Sequence, residues 1–132
     1  MKLVTRDTDY AIRALSFIAK KESEITSVTE LVKTLKIPRP FLRKILQILQ
    51  KKGILTSFKG KGGGFQLAIP ADQIYLSLII ESFQGPIKLT ECLFKKKICP
   101  EIKTCPLKKK LDEMQKYVSE HFRNITLSEM LI

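Results

Sequence analysis

All three cysteines of the chain, Cys92, Cys99 and Cys105, fall in the stretch ECLFKKKICPEIKTCP, Glu91 to Pro106. Their spacing is C-x6-C-x5-C, and no histidine lies among them. Thiolates are soft ligands and also redox-reactive groups, so this pattern suits a metal centre or a thiol switch. Structural zinc sites favour short knuckles such as C-x2-C, whereas iron-sulfur clusters accept thiolates from a longer, irregular loop. Spacing alone leaves a cluster, zinc and reactive free thiols all open. The lysines at 95 to 97, 103 and 108 to 110 would offset the negative charge of a thiolate-bound centre, or are ordinary solvated surface. Three cysteines leave a fourth ligand position to be filled. The single histidine, His121, stands sixteen residues beyond the last of them.

The chain that must position these thiols has 132 residues, enough for one domain with a modest core and no disulfide staples. Lys and Arg number 24 against 13 Asp and Glu, a net charge of +11, and 44% of residues are hydrophobic. That charge attracts a polyanion, and the apolar content is too high for a disordered basic tail. No segment reaches the roughly 20 apolar residues of a membrane span, and MKLVTRDTDY lacks the apolar core of a signal peptide. A cytoplasmic protein is expected, with nucleic acid as partner and no membrane association. In a reducing compartment a cysteine cluster points to metal or redox chemistry rather than a structural disulfide.

Hydrophobic period organises the first half into three helices. Residues 7 to 20 carry Tyr10, Ala11, Ala14, Leu15 and Ile18 at three-and-four spacing, with acids in the first turn. Either Asp7 caps this helix, with Asp9 complementing its dipole, or the acids have another use. Ser27-Val-Thr-Glu30 fits a capping box opening a second helix that ends near Lys36. Pro38-Arg39-Pro40 suits a turn and the start of a third helix, which runs to Lys52 and stops at Gly53. Phe41, Leu42, Ile45, Leu46 and Leu49 are expected inward, and Arg39, Arg43, Lys44, Lys51 and Lys52 outward. Residues 54 to 58 and 65 to 69 are β-prone runs joined by KGKGGG, a hairpin with a glycine-rich tip. A further helix spans Leu76 to Gln84, a long one runs from Leu107 to Phe122, and the short tail TLSEML follows.

Three helices and then a basic hairpin is the order of a winged helix-turn-helix, in which the third helix enters a major groove. Arg39, Arg43 and Lys44 stand where phosphates and base edges would lie, although one basic helix face can also be plain solvated surface. The hairpin adds Lys59 and Lys61 between glycines that allow close backbone approach to a phosphate or a minor groove. A nucleotide P-loop would need G-x-x-x-x-G-K-[ST] opening a helix, and here a strand follows.

The stretches MKLVTRDTDYAIRAL, IPRPFLRKILQILQKKGIL, KGKGGGFQLA, IESFQGPIKLTECL and NITLSEML, with the cysteine spacing, resemble one winged-helix family of regulators. It includes the iron-sulfur cluster regulator IscR, the nitric-oxide-sensing repressor NsrR and the cysteine-metabolism repressor CymR. The resemblance covers nearly the whole chain. It implies a mainly α fold with a small β-hairpin wing, that is, a winged helix-turn-helix plus a long C-terminal dimerisation helix. Residues 1–72 would form the DNA-binding domain, and 73–132, continuous with it, the cysteine loop and dimerisation helices. By position, the family's base-contacting residues fall on Pro38, Pro40, Arg43 and Lys44, and its minor-groove residue on Lys59. Many relatives have small hydroxyl residues where this chain has Pro38 and Pro40, so their operator sequence does not carry over.

Family members that bind a cluster place three cysteines here, usually with five residues in each gap; this chain has one more in the first. The iron-sulfur cluster regulator completes its site with a histidine where this chain has Lys108. The nitric-oxide sensor instead uses an aspartate from the partner's first helix, within a T-D-x-A-[LI]-R pattern that Thr8-Asp9-Tyr10-Ala11-Ile12-Arg13 reproduces. The resemblance therefore implies a [2Fe-2S] or [4Fe-4S] cluster on Cys92, Cys99, Cys105 and Asp9. The whole would be a homodimeric repressor that binds a palindromic duplex and senses nitric oxide, redox or cluster status. Rival readings are a cluster-free regulator acting through thiol oxidation or a protein partner, and a cluster carrier, which would not need a basic wing. An enzyme is disfavoured, for no histidine-serine-acid set, nucleotide motif or acidic cleft is visible.

Overall fold

Thr5 opens the first helix. Its hydroxyl accepts from the Thr8 amide in an extended N-cap conformation, so α1 spans Arg6–Lys20 and begins one residue before the expected start, with Thr5 rather than Asp7 as cap. The computed structural model describes residues 4–22, 24–87 and 105–131. The elements that follow are α2 (Val28–Leu35), α3 (Arg39–Lys51), β1 (Leu55–Phe58), β2 (Gly64–Leu67), α4 (Leu76–Gln84) and α5 (Pro106–Phe122). Single 3-10 turns lie at Ala71–Gln73 and Leu127–Met130. This is the mainly α fold with a hairpin wing that the resemblance implies.

Half of the expected capping box is present at α2. The Ser27 hydroxyl accepts from the Glu30 amide at 3.1 Å, but the Glu30 carboxylate pairs with Lys21 at the end of α1. That pair ties α1 to α2 instead of closing the box. Lys36 then adopts the left-handed conformation, φ 57°, which ends α2 and turns the chain toward α3.

The hairpin pairs Leu55 with Leu67 and Phe58 with Gly64, so β2 starts on the last glycine of KGKGGG and ends two residues before the expected limit. Gly64 has φ 158°, and a Cβ there would collide with the Thr26 carbonyl. The closeness is functional for the fold: Thr26 and Phe65 exchange backbone hydrogen bonds at 2.9 and 2.8 Å, joining the wing to the residue before the α2 cap. Thr26 thus acts as a short third strand segment beside the hairpin.

Leu15, Ile18, Leu31, Leu42, Ile45, Leu46, Leu49 and Ile54 form the centre of the core, each at most 1% exposed. Ile74 and Ile79 join it from the second half, and so does Leu127, at 0% exposure, from the terminal tail. The Leu127 amide donates to the Ile74 carbonyl at 2.7 Å and the Leu76 amide to the Ile125 carbonyl at 2.8 Å. The tail after α5 therefore returns to the same core that supports α3. α5 itself contributes no buried residue.

Candidate nucleic-acid interface and cysteine site

Pro38 caps α3 and Pro40 sits in its first turn, where the missing amide hydrogen costs nothing and the fixed φ favours helix entry. Leu42, Ile45, Leu46 and Leu49 anchor the helix, leaving Pro38, Pro40, Arg43, Lys44, Gln47 and Lys51 exposed on the other side. Arg39 is half-buried, and its Nη2 donates to the Thr29 hydroxyl at 3.1 Å. Its guanidinium therefore ties α3 to α2, a role that its place among the outward cations does not reveal.

Phe41 corrects the sequence reading. Expected inward, it is 53% exposed. It lies about 100° round the helix from Leu42, at the edge of the buried stripe. Gln47, one turn on from Arg43 and Lys44 along the same outward face, is a second potential base-reading residue that charge-based reading passes over. An exposed apolar residue and a neutral amide leave no mark in a search for cations. The one available signal was Phe41's place at the margin of its stripe.

At the wing, Lys59 and Lys61 are both exposed. Gly60 and Gly62 have φ of 88° and 79°, and the Gly63 amide donates to the Gly60 carbonyl at 3.0 Å, so the tip needs glycine at these two left-handed positions. Recognition helix and wing are both fixed to the N-terminal end of α2, one through Arg39–Thr29 and the other through Thr26–Phe65.

The proposed metal ligands are described in part. Cys92 and Cys99 lie outside the described residues. Cys105 is a half-buried free thiol at the N-cap of α5, and its side chain makes no capping bond. Among the lysines around it, Lys108 pairs with Asp112 at 2.6 Å and Lys110 with Glu113 at 3.7 Å. Asp9 sits in the first turn of α1, its Oδ2 accepting from Arg13 Nε at 2.9 Å, with both side chains about half exposed. His121 stacks on Tyr117 along α5, the ring centroids 6.3 Å apart. Among the described residues no three His, Cys, Asp or Glu side chains converge.

A partly buried polar contact joins α1 to α4 near Asp9. The Gln84 Oε1 accepts from the Thr5 amide at 2.9 Å and from the Thr8 hydroxyl at 2.8 Å, and Thr8 is fully buried. Gln84 is the last residue of α4, and the chain runs from it toward Glu91 and the cysteines. Nothing in the amino-acid pattern announces the contact, because its partners are more than seventy residues apart.

The model of the Rrf2 family, described as an iron-dependent transcriptional regulator, matches residues 4–132. The chain belongs to the Rrf2 family. It is 35% identical over 124 residues to a protein of Aquifex aeolicus (strain VF5) described as an HTH-type transcriptional regulator, covering 92% of this chain and 86% of that one. Among solved structures it is similar to CymR, the global cysteine regulator of B. subtilis, with a TM-score of 0.81 and 24% identity over 99% of this chain and 97% of that one. It is similar as well to IscR of T. potens, with a TM-score of 0.73 and 23% identity over 99% and 86%. These structures share the winged-helix fold of the Rrf2 regulators. As a member of that family this chain is a transcriptional regulator and not an enzyme. No described helix is long and apolar enough to cross a membrane.

Proposed function

We propose that this Rrf2 protein is a cytoplasmic homodimeric repressor whose hold on a palindromic operator is set by an iron-sulfur cluster. The cluster would be held by Cys92, Cys99 and Cys105, with Asp9 of the partner subunit as fourth ligand. Its sensitivity would be to nitric oxide, redox or cluster status. The observation that carries this reading is the Gln84 contact, which fastens the turn bearing Asp9 to the end of the helix that leads into the cysteines. A change in the cysteine segment thereby has a short route to α1, which packs on α3.

Two described residues support this reading. Cys105 has a free thiol, and a thiolate-bound cluster carries negative charge that the N-terminal end of α5 favours. Among the described residues Asp9 pairs with Arg13 in an exposed i,i+4 contact worth a few tenths of a kcal/mol, so its carboxylate is cheaply released to another partner. Being hard and labile, a carboxylate ligand would leave one iron accessible to a small molecule.

On the DNA side, Arg43, Lys44, Lys59 and Lys61 would neutralise phosphates or reach base edges, with Pro38, Arg39 and Pro40 shaping the helix start. Residues 1–72 would thus supply the DNA contacts, and 73–132 the cysteine loop and the dimer. About six phosphate contacts would make log affinity fall with log salt at a slope near -5. Dimerisation has its support in α5, where Leu107, Leu111, Met114 and Val118 recur at three-and-four spacing while Leu107 is 67% and Met114 58% exposed. If the cluster-bound state binds DNA 100-fold more tightly, linkage requires about 2.7 kcal/mol of coupling.

The free Cys105 thiol favours one second reading, a cluster-free regulator acting through thiol oxidation or a protein partner. Purification without oxygen, followed by iron and sulfide analysis and a visible spectrum before and after nitric oxide, separates the two. A coloured protein that bleaches and releases its operator fits the cluster; a colourless one, or one with zinc bound, excludes it.

A further inference from the structure

Three of the four residues from Pro38 to Phe41, at the start of α3, are apolar and exposed. Pro38 and Pro40 are exposed, and neither has an amide hydrogen or a polar side chain. Arg39, between them, gives one of its five N–H donors to the Thr29 hydroxyl, which draws its guanidinium toward α2. The remaining residue of the turn, Phe41, holds a phenyl ring 53% in water on a helix whose later outward residues are cations, Gln47 and Gln50. Base edges facing Pro38, Pro40 and Phe41 would meet an apolar surface. The major groove has one apolar group, the C5 methyl of thymine.

We propose that Phe41 is a specificity-determining residue that packs on thymine methyl groups, so that each operator half-site carries thymine opposite the start of α3. Arg43 and Lys44, on the next turn, supply the cationic flank that holds this apolar patch against an anionic groove. The inference rests on the DNA-reading role of α3 and goes beyond it, since it names the base that the exposed ring selects.

The test begins with the intact protein, purified without oxygen, selecting duplexes from a randomised library. In the enriched sequence each thymine is replaced in turn by deoxyuridine, which removes the methyl group and leaves the hydrogen-bonding edge unchanged. At one or two positions per half-site the loss should weaken wild-type binding about three- to fivefold, the size expected for one buried methyl. Phe41→Ala should lose a similar factor on the thymine duplex, become indifferent to uracil at those positions and keep the wild-type salt dependence, while Phe41→Leu should retain part of the discrimination. Wild-type binding that is equal at every uracil substitution overturns the proposal, and so does a Phe41→Ala protein that still discriminates. Should Phe41→Ala fail to fold, the wild-type uracil scan decides alone. Failure to enrich any sequence would instead strike the DNA-reading role beneath it, a different result from enrichment without methyl dependence.

Discussion

α3 and α5 are written in nearly the same way. Each begins with proline in its first turn, carries apolar residues at three-and-four spacing and is studded with lysine. α3 buries Leu42, Ile45, Leu46 and Leu49; α5, four residues longer, buries nothing and leaves Leu107, Met114 and Tyr117 more than half exposed. An amphipathic stripe states that a helix face wants cover, not where the cover comes from. For α3 it comes from α1, α2, α4 and the wing of the same chain. For α5 the proposed dimer would supply it from a second copy, and the two helices should then answer to mutation in opposite ways.

The largest effect belongs to the self-sufficient helix. Leu46→Ala removes a fully buried side chain at the centre of the core and should destabilise the fold by about 2–5 kcal/mol, read by urea denaturation. Its effect should be nearly independent of protein concentration. Met114→Lys combined with Tyr117→Lys should leave helix content unchanged, since both residues are more than half exposed. Sedimentation should show the doubly substituted protein as a monomer, with operator affinity reduced at least tenfold, roughly 1.4 kcal/mol or more. A variant that stays dimeric would mean that α5 is covered by something else.

What the sequence disclosed follows the same division. The start of α2, the two ends of α3 and the glycine-rich wing depend on local chemistry, and Ser27, proline and glycine marked them to within a residue or two. The errors arose where position relative to distant elements decided the outcome. Phe41 had the right residue type for the core but stood at the edge of the buried stripe. The Glu30 carboxylate satisfied the motif for a capping box and instead met Lys21. Leu127 stood in a short tail with no assigned place, and only the return of the chain past Ile74 showed it to be core. Of the candidate metal ligands, Asp9 and Cys105 are described, and Cys92 and Cys99 lie outside the described residues.

The bridge between the two regions should respond more weakly than either. Gln84→Ala leaves the Thr5 amide and buried Thr8 hydroxyl without their shared acceptor, at a cost of about 1 kcal/mol because Thr8 keeps its contact with the Thr5 hydroxyl. If Gln84 carries the signal, operator binding by this variant should respond less to cluster loss than that of the wild type. An unaltered response in a destabilised protein would confine Gln84 to a structural role.

Asp9 should have the smallest effect on stability and the most informative one on function. As a dipole complement paired at i,i+4 with Arg13, with both groups about half exposed, it is worth only a few tenths of a kcal/mol, so Asp9→Ala should barely move the denaturation midpoint. Removing Arg13 instead would abolish the same ion pair and free the carboxylate. The two variants are therefore equivalent if Asp9 is only structural. They diverge if Asp9 is a ligand: Arg13→Ala should retain the visible spectrum and iron content of the wild type, and Asp9→Ala should lose iron or change its spectrum at unchanged stability. Mixed dimers sharpen the point, because a ligand donated across the dimer requires Asp9 on one chain and Cys99 on the other. Combining Asp9→Ala chains with Cys99→Ala chains should restore one complete site per heterodimer, whereas a ligand used within its own chain would leave none.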